Sequence, residues 1–533
     1  MTERRRTVLV VLSIWLSFLL VSHSCSQIPG VNESHYLTKS KHYWNPNWCS
    51  RDFFLTSFPA HRVFYQTVGS LTQWFELATV ALIGRVVGTG MLAVSWTMMV
   101  RALCDVRTSR LSDSTANTAE SIAASQATSD GLALSSAWLF LGMQSIGNLS
   151  GEWLIGGLES KVIAFAFLFW SVASRLAQRF LSAAICCGLA IAFHPIIGLW
   201  HLVAMMFVEV ADRQWLFVGQ HSSGPPRRLW AEITLLFVTA LPGLWPAIEL
   251  LRIGDSKASY AANFVQVFYR LKHHLDPMDF GLWNYASYGL LAVIWLALLR
   301  LHSRRTTISS RDRIWICYIT AAAVFALSGY LVGFGPRPAQ EMWGYRWRMG
   351  LLKFYPFRLF DLLLPIAVAV SLVRCATGRW QRFVWLVAFV GFGFAAVKHQ
   401  LQEPSIPWTH QARADWKEAC AWIKQNTPSD SLFLTPIESD SFKWFAQRAE
   451  WVNFKDCPQD AAGIVEWNGR LKWIDRWSKA AFEDERYSTE ELKALRRKTN
   501  VEFAMARTRV SYDADLIYSN KTFNVFRLPD VSE

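Results

Sequence analysis

The chain has 533 residues, 52% of them hydrophobic, with 27 Trp and a formal net charge of +13. A soluble protein of this length would divide into two or three domains of lower apolar content. Here the apolar residues fall in blocks of about 17–25, the length of helix that crosses a bilayer. The basic residues sit mostly in short loops between these blocks, which favours membrane orientation and anionic lipid over nucleic acid as their explanation.

Arg4-Arg5-Arg6 precede an apolar run from Thr7 to Val21. Such a start fits either a secretory signal peptide or an uncleaved first span. Ser22-His23-Ser24 is a poor small-residue cleavage site, so the span is preferred, and the following loop, about 23–85, is external in both cases. Val63–Ile83 is apolar but broken by Gln66, Gln73 and Glu76, and is expected to lie along the membrane surface. The second span is expected at Val86–Leu103, followed by a Ser/Thr/Ala-rich cytoplasmic loop over Asp105–Asp130.

Further spans are expected at Leu132–Met143, Val162–Val172, Trp230–Leu251, Tyr288–Leu299, Ile314–Val332, Leu359–Val373 and Phe383–Val397. Phe180–Val210 is too long for one ordinary span. His194-Pro195 in its middle predicts two short spans with a break, because proline lacks the amide hydrogen and kinks a helix. The total is about eleven. Loops Arg175–Arg179, Arg213–Arg228, Arg300–Arg313 and Arg374–Arg382 then fall on the cytoplasmic side, each with several Arg, in accord with the positive-inside rule. Loops Ser145–Lys161, Arg252–Trp283 and Gly333–Arg358 fall outside, as does everything after Lys398.

The tail mixes an amphipathic helix at Trp416–Gln425 with short strands at Ser431–Thr435, Phe503–Ala506 and Thr522–Leu528, which predicts a small α/β domain. The fold class is thus an α-helical polytopic membrane protein over residues 1–401 with an extracytoplasmic α/β domain over 402–533. Nine Cys are scattered without metal-site spacing. Those in or near spans read as small apolar residues. Cys25, Cys49, Cys420 and Cys457 would lie outside, where a disulfide is an option.

Four constellations bear on chemistry. The first external loop carries Glu33, His35, Lys39, Lys41, His42 and Asp52 among aromatics. A carboxylate beside a bilayer can serve as a general base, since partial desolvation raises its pKa toward neutrality; the bland alternative is a solvated loop acid. Asn32-Glu33-Ser34 is also a glycosylation triplet, of a kind that arises often by chance. The second is Arg337, Arg346, Arg348, Lys353 and Arg358, in a loop where the charge rule expects few cations. Guanidinium forks suit phosphate oxygens. The alternative is headgroup anchoring with an Arg358–Asp361 helix pair. In the third, His273-His274 suggests metal binding or proton transfer, although neighbouring side chains are expected to point apart. In the fourth, Glu152 and Glu159 flank a glycine-containing loop and would supply carboxylates to a divalent metal or a sugar hydroxyl, or simply be solvated.

Asn32-Glu33-Ser34-His35-Tyr36, followed by Trp44, Pro46 and Trp48, resembles the first-loop motif of polytopic GT-C glycosyltransferases, in the protein O-mannosyltransferase and aminoarabinose transferase branch. The layout is similar too: surface helices after the motif, about eleven spans and an external α/β tail. The resemblance implies transfer of a sugar from a polyprenyl-phosphate donor, with inversion. It implies Glu33 as base and Arg348 or Arg358 on the donor phosphate; Glu152, Glu159, His273, His274, His35 and Asp52, singled out from the loops themselves, are expected around the substrate. Asn32 stands where that family usually has its first acid, and an amide cannot accept the proton.

The leading expectation is therefore such a transferase in the cytoplasmic membrane of a bacterium, its N-terminus cytoplasmic. Its partners are a lipid-linked sugar donor and membrane lipids, with no nucleic acid, and its cofactor is unknown, a divalent metal being one option. The alternative is a non-catalytic relative that binds a lipid-linked glycan or envelope polymer. A secondary transporter would show internal repeats and charges within spans, and neither is evident. Walker A, GxSxG and HExxH signatures are absent.

Overall fold

The computed structural model describes residues 3–104, 119–216, 229–401, 408–482 and 486–531. Parts of two expected loops, 105–118 and 217–228, lie outside the described residues. Packing divides the chain into two compact units. The first comprises Met1–Cys25, Arg85–Trp245 and Gln266–Gln400; the second comprises Ser26–Gly84, Pro246–Val265 and Leu401–Glu533. The second unit thus gathers three separate stretches of sequence.

In chain order the helices begin with α1 (Glu3–Cys25), α2 (Val31–Trp44), α3 (Phe53–Thr56) and α4 (Arg62–Gln66). Next come α5 (Leu77–Cys104), α6 (Ala119–Ile146), α7 (Ser160–Leu176), α8 (Phe180–Phe193), α9 (Pro195–Leu216) and α10 (Leu229–Arg252). They continue with α11 (Ser256–Val265), α12 (Lys272–Leu275), α13 (Leu282–Arg305), α14 (Ser310–Gly333), α15 (Tyr345–Leu352), α16 (Arg358–Cys375) and α17 (Arg379–Leu401). A helix stands at each of the eleven expected spans. Among the described residues seven are long and apolar enough to cross a bilayer: α1, α5, α9, α10, α13, α14 and α17. The chain is an integral membrane protein.

His194 separates α8 from α9, with Pro195 at the first helical position, where its missing N–H is no loss. One expectation changes: α5 starts at Leu77 rather than near Val86. Arg85 does not end the helix, because its side chain is buried and donates to the Ser22 carbonyl at 3.2 Å. Helix α16 is enclosed on all sides, with Asp361–Val370 buried without a break, as expected of a helix apolar round its whole circumference. Helices α10, α13 and α17 instead show apolar faces, among them Trp230, Phe237, Leu290, Leu296, Phe389 and Val390, that suit lipid.

The second unit adds α18 (His410–Asn426), β1 (Leu432–Leu434), α19 (Phe442–Ala446), β2 (Ala449–Glu450) and α20 (Ala461–Ala481). It ends with β3 (Arg486–Tyr487), α21 (Thr489–Thr499), β4 (Phe503–Arg507), β5 (Ser511–Tyr512), β6 (Asp515–Ser519) and β7 (Phe523–Arg527). A five-stranded sheet has the order β2-β1-β4-β7-β6. Strand β1 pairs in parallel with β2 and β4, while β7 pairs antiparallel with β4 and β6.

Side chains alternate across this sheet as the strand period of two requires. Phe433, Phe503 and Met505 pack with Trp416, Ala419, Cys420 and Ile423 of α18. Leu432, Leu434 and Ala504 face the other way, into a core shared with Trp467 and Leu471 of α20, Leu492 and Leu495 of α21, Phe54 and Leu55 of α3, and Ala262 and Val265 of α11. The burial of α18 follows a helical stripe, Ala412, Trp416, Ala419, Ile423. Capping sharpens the ends: Thr409, Asp460 and Ser488 each accept an amide from the first turn of α18, α20 and α21. All nine cysteines are free thiols, so the disulfide option is not taken.

Candidate functional site

The loop between α6 and α7 is shaped by a side chain of its own and one from the last turns of α6. Asn148 Oδ1 accepts the Gly151 N–H at 2.8 Å, and Gln144 Oε1 accepts from Leu154 and Ile155 at 2.8 and 3.2 Å. Gly151 has φ +76°, and a methyl group there would lie 2.7 Å from the His274 ring. Glycine is needed for both reasons.

Asp361, in the first turn of α16, ties this loop down. Its Oδ1 accepts from Leu149 N at 2.6 Å; its Oδ2 accepts from Ser150 N, Ser150 Oγ and Glu152 N at 2.8, 2.9 and 3.0 Å. The Tyr288 hydroxyl donates to the Asp361 carbonyl at 2.6 Å. The Arg358–Asp361 pair of the alternative reading is not made, because loop amides have taken the carboxylate.

Glu152, thereby fixed, is the centre of a buried ionic cluster. Lys161 Nζ lies 2.6 Å from its Oε1, and Arg358 Nε lies 2.5 Å from its Oε2. Glu159 completes the set, 3.5 Å from Lys161. Burial by itself raises the Glu152 pKa, but the adjacent Arg358 and Lys161 charges outweigh it and hold the group down to about 2. Neither glutamate is a solvated loop acid.

Arg358 is oriented from three directions. Besides Glu152, its Nη1 donates to His194 Nε2 at 3.3 Å, and its guanidinium carbon stands 3.9 Å from the centre of the Tyr355 ring. Lys161 in turn lies 3.8 Å from the centre of the Trp153 ring. Aromatic faces and a carboxylate leave both cations little freedom to swing.

His274 Nδ1 donates to the Ser150 carbonyl. A carbonyl can only accept, so the hydrogen is on Nδ1 and Nε2 carries the lone pair. Burial, then the neighbouring His273 and Arg358, push its pKa down to about 3, leaving a neutral imidazole. The rings of His273 and His274 stand 4.1 Å apart. The two do not point apart as neighbours were expected to; they stand side by side in α12, a single turn that follows a π-helical segment and a bend at Leu271.

Five of the expected residues therefore meet in the first unit: Glu152, Glu159, His273, His274 and Arg358. Arg348 does not join them; its Nη1 donates to the Phe334 carbonyl at 2.8 Å. Lys161, His194, Tyr355 and Asp361 complete the site and were not expected there. His194 had been read only as a helix break. Lys161 lies between the two glutamates, where a metal had been an option, and its ammonium supplies the positive charge. Among the described residues no group of three or more His, Cys, Asp or Glu is arranged to hold a metal ion.

Glu33, His35 and Asp52 lie in the second unit. Glu33 is the third residue of α2 and buried; its Oε2 accepts the Gly30 N–H at 2.6 Å, while its own N–H donates to the Gly30 carbonyl at 2.9 Å. This reciprocal cap places an anion at the positive end of the helix. His35 Nδ1 meets Asp456 Oδ1 at 3.0 Å. Asp52 caps α3 through the Leu55 N–H at 2.9 Å, and its Oδ2 accepts the Glu450 N–H at 3.0 Å.

Residues 414–474 match a domain of unknown function, DUF6798. A search of curated proteins gave no match. Among solved structures the chain is similar to ArnT from Cupriavidus metallidurans bound to undecaprenyl phosphate, at 14% identity and TM-score 0.38, covering 98% of this chain and 97% of that one. It is similar to the apo state of the same protein at 12% identity and TM-score 0.39, covering 99% and 98%. It is also similar to the arabinofuranosyltransferase AftD from Mycobacteria at 12% identity and TM-score 0.48, covering 99% of this chain and 40% of that one.

Proposed function

We propose that the chain is a membrane glycosyltransferase of GT-C type that moves a sugar from a polyprenyl-phosphate donor to an acceptor on the external face of the membrane. The observation that supports this best is the oriented, buried Arg358 with Lys161 beside it. A planar guanidinium matches phosphate oxygens in a bidentate fashion, and a second cation adds charge without demanding geometry. In this reading Glu152 holds both cations in place before the lipid arrives and shares them with its phosphate afterwards.

The reaction breaks the bond between the sugar carbon and the donor phosphate and forms a new carbon–oxygen bond to the acceptor hydroxyl. Negative charge builds on the departing phosphate, where Arg358 and Lys161 stabilise it. The hydroxyl proton must leave as the bond forms. Glu33 is the base assigned by the resemblance, and inversion follows from the same source. The charge rule supports a cytoplasmic N-terminus, an external Arg358 loop and an extracytoplasmic domain over residues 402–533; the inner membrane of a bacterium is part of the same proposed reading.

A second reading, a non-catalytic binder of lipid-linked glycan, is favoured by one feature of α2. Asn32 replaces the usual acid, and the Glu33 carboxylate caps its own helix. The test uses the full chain in lipid nanodiscs with a panel of polyprenyl-phosphate sugars, comparing wild type, Arg358→Gln and Glu33→Gln. Lipid-phosphate binding should fall at least about tenfold in Arg358→Gln, the loss expected for one charge-assisted contact, while Glu33→Gln should bind normally and transfer nothing. Unchanged binding in Arg358→Gln removes the phosphate role. Wild-type transfer by Glu33→Gln removes the base. Binding without transfer in the wild type selects the second reading.

A further inference from the structure

A second buried ionic network lies at the sheet of the second unit, outside the site just described. Its hub is Lys443 of α19, whose Nζ lies 2.7 Å from Glu450 Oε2, 2.7 Å from Asp456 Oδ2 and 3.4 Å from Asp52 Oδ2. Thr435 and Ser439 donate to Glu450 Oε1 at 2.5 and 2.8 Å. Asn453 Nδ2 bridges Glu450 Oε2 and Asp456 Oδ2 at 2.5 and 3.1 Å. His35 takes the other oxygen of Asp456 at 3.0 Å.

Lys443, Thr435, Ser439, Glu450, Asn453 and Asp456 all belong to the stretch 414–474 that matches the domain of unknown function. His35 and Asp52 come from the α2–α3 segment, some four hundred residues earlier: 421 separate His35 from Asp456 and 398 separate Asp52 from Glu450. The network sits where β1 and β2, parallel neighbours, reach their carboxyl ends. In open α/β sheets that edge is the usual place for a ligand. Here two side chains of the same chain fill it.

Helix α2 is built to be held this way. His35, Lys39 and His42 fall at i, i+4 and i+7, on one face. Lys39 Nζ donates to the carbonyls of Phe54, Leu55 and Ser57 at 2.6, 2.8 and 2.6 Å, and His42 Nδ1 donates to the Trp48 carbonyl at 2.8 Å. Phe54 and Leu55 of α3 then enter the apolar core with Leu432, Leu434 and Trp467. Lys39 thus ties α2 to α3 and His42 ties it to the turn between them, while His35, Asp52, Phe54 and Leu55 carry the segment's contacts to the matched domain.

We propose that the function of the matched domain is to clamp the α2–α3 segment through Lys443, Asp456 and His35, rather than to bind a ligand at its sheet edge. The clamp stands whatever chemistry the first unit performs. Glu33 lies two residues before His35 on α2, so the clamp also positions the base; that consequence alone rests on the glycosyltransferase reading.

Hydrogen exchange on the full chain in nanodiscs tests it, with wild type, Lys443→Met, His35→Leu and His35→Gln, the last restoring a donor toward Asp456. Amides of residues 32–44 and 53–56 should exchange about tenfold faster or more in Lys443→Met and His35→Leu, and Gln should recover part of the protection. Amides of β4 and β7 should stay within about twofold of wild type in the His35 variants. If Lys443→Met does not fold, the two His35 variants decide. Unchanged exchange over 32–56 in folded His35→Leu overturns the clamp, as does equal loss across β4 and β7, which would mean general unfolding. Sugar transfer is read on the same samples. Raised exchange with no transfer even in wild type keeps the clamp and discards the transferase. Raised exchange with full transfer in His35→Leu keeps the clamp and discards its effect on Glu33.

Discussion

In the first unit an acid, Glu152, is flanked by two cations, Lys161 and Arg358; in the second a cation, Lys443, is flanked by three acids, Asp52, Glu450 and Asp456. Both clusters are buried, yet an anion approaching them meets opposite rims. Access differs as well: the Arg358 side chain keeps 13% of its surface exposed and Lys443 only 3%. In the proposed reading the first cluster shares its two cations with a phosphate, whereas the second spends its single cation on three acids of its own chain. A buried ion pair is weak evidence of stability, but breaking one leaves an uncompensated charge.

The sharpest way to break this comparison is Lys443→Met, which strands three carboxylates. A loss of about 3–5 kcal/mol is expected, read as lower exchange protection over residues 32–44 and 53–56. Burial pushes Lys443 down while Asp456, Asp52 and Glu450 raise it well above its ordinary value, so it stays charged at any working pH. A loss below about 1 kcal/mol, the worth of a surface pair, would make the hub no different from an exposed salt bridge.

Acid should disturb the first cluster next. The Glu152 pKa, about 2 against an ordinary 4.5, means the native state binds fewer protons than the unfolded state in that window. Its stabilisation, about 3 kcal/mol, is present above pH 4.5 and lost as pH falls toward 2. His274, held near 3 rather than 6.5, acts in the same direction, so the decline starts below pH 6.5. Thermal melts followed by tryptophan fluorescence should show this slope in wild type and a smaller one below pH 4.5 in Glu152→Gln.

Asp361→Asn tests how the acid is held. Its amide group can accept at one oxygen only, leaving part of the four-donor set unpaired, at a cost of about 1–3 kcal/mol. Lipid-phosphate affinity should fall with it, because Glu152 and then Arg358 lose their support. Arg348→Gln is the control: one carbonyl contact from a half-buried side chain is worth less than about 0.5 kcal/mol, and phosphate binding should not change. A large loss there would return Arg348 to the site.

Much of the frame was legible in the sequence because it depends on local periodicity. Apolar blocks gave the spans, His194-Pro195 gave the break between α8 and α9, and the short segments Ser431–Thr435, Phe503–Ala506 and Thr522–Leu528 gave strands β1, β4 and β7. Glu152, Glu159, His273, His274 and Arg358 were found as charged or polar residues in loops between spans. What joins them was hidden. Asp361 sits at the start of an apolar helix and reads as an ordinary first-turn acid, and nothing local shows that it collects amides from 209 to 212 residues away. Lys443 drew no attention in the sequence, where it stands as one lysine between Phe442 and Trp444. Its partners lie at two ends of the chain, and no period in a single sequence links them.

The scattered make-up of the second unit also sets a clock. His35 and Asp456 are 421 residues apart, and at synthesis rates of about 5–20 residues per second the helix waits roughly 20–80 s for its partner to exist. During that interval His35 and Asp52 lack the Asp456, Lys443 and Glu450 groups that later hold them. A premature stop after Leu401 and before Asp456 would leave every span made and the first loop permanently waiting.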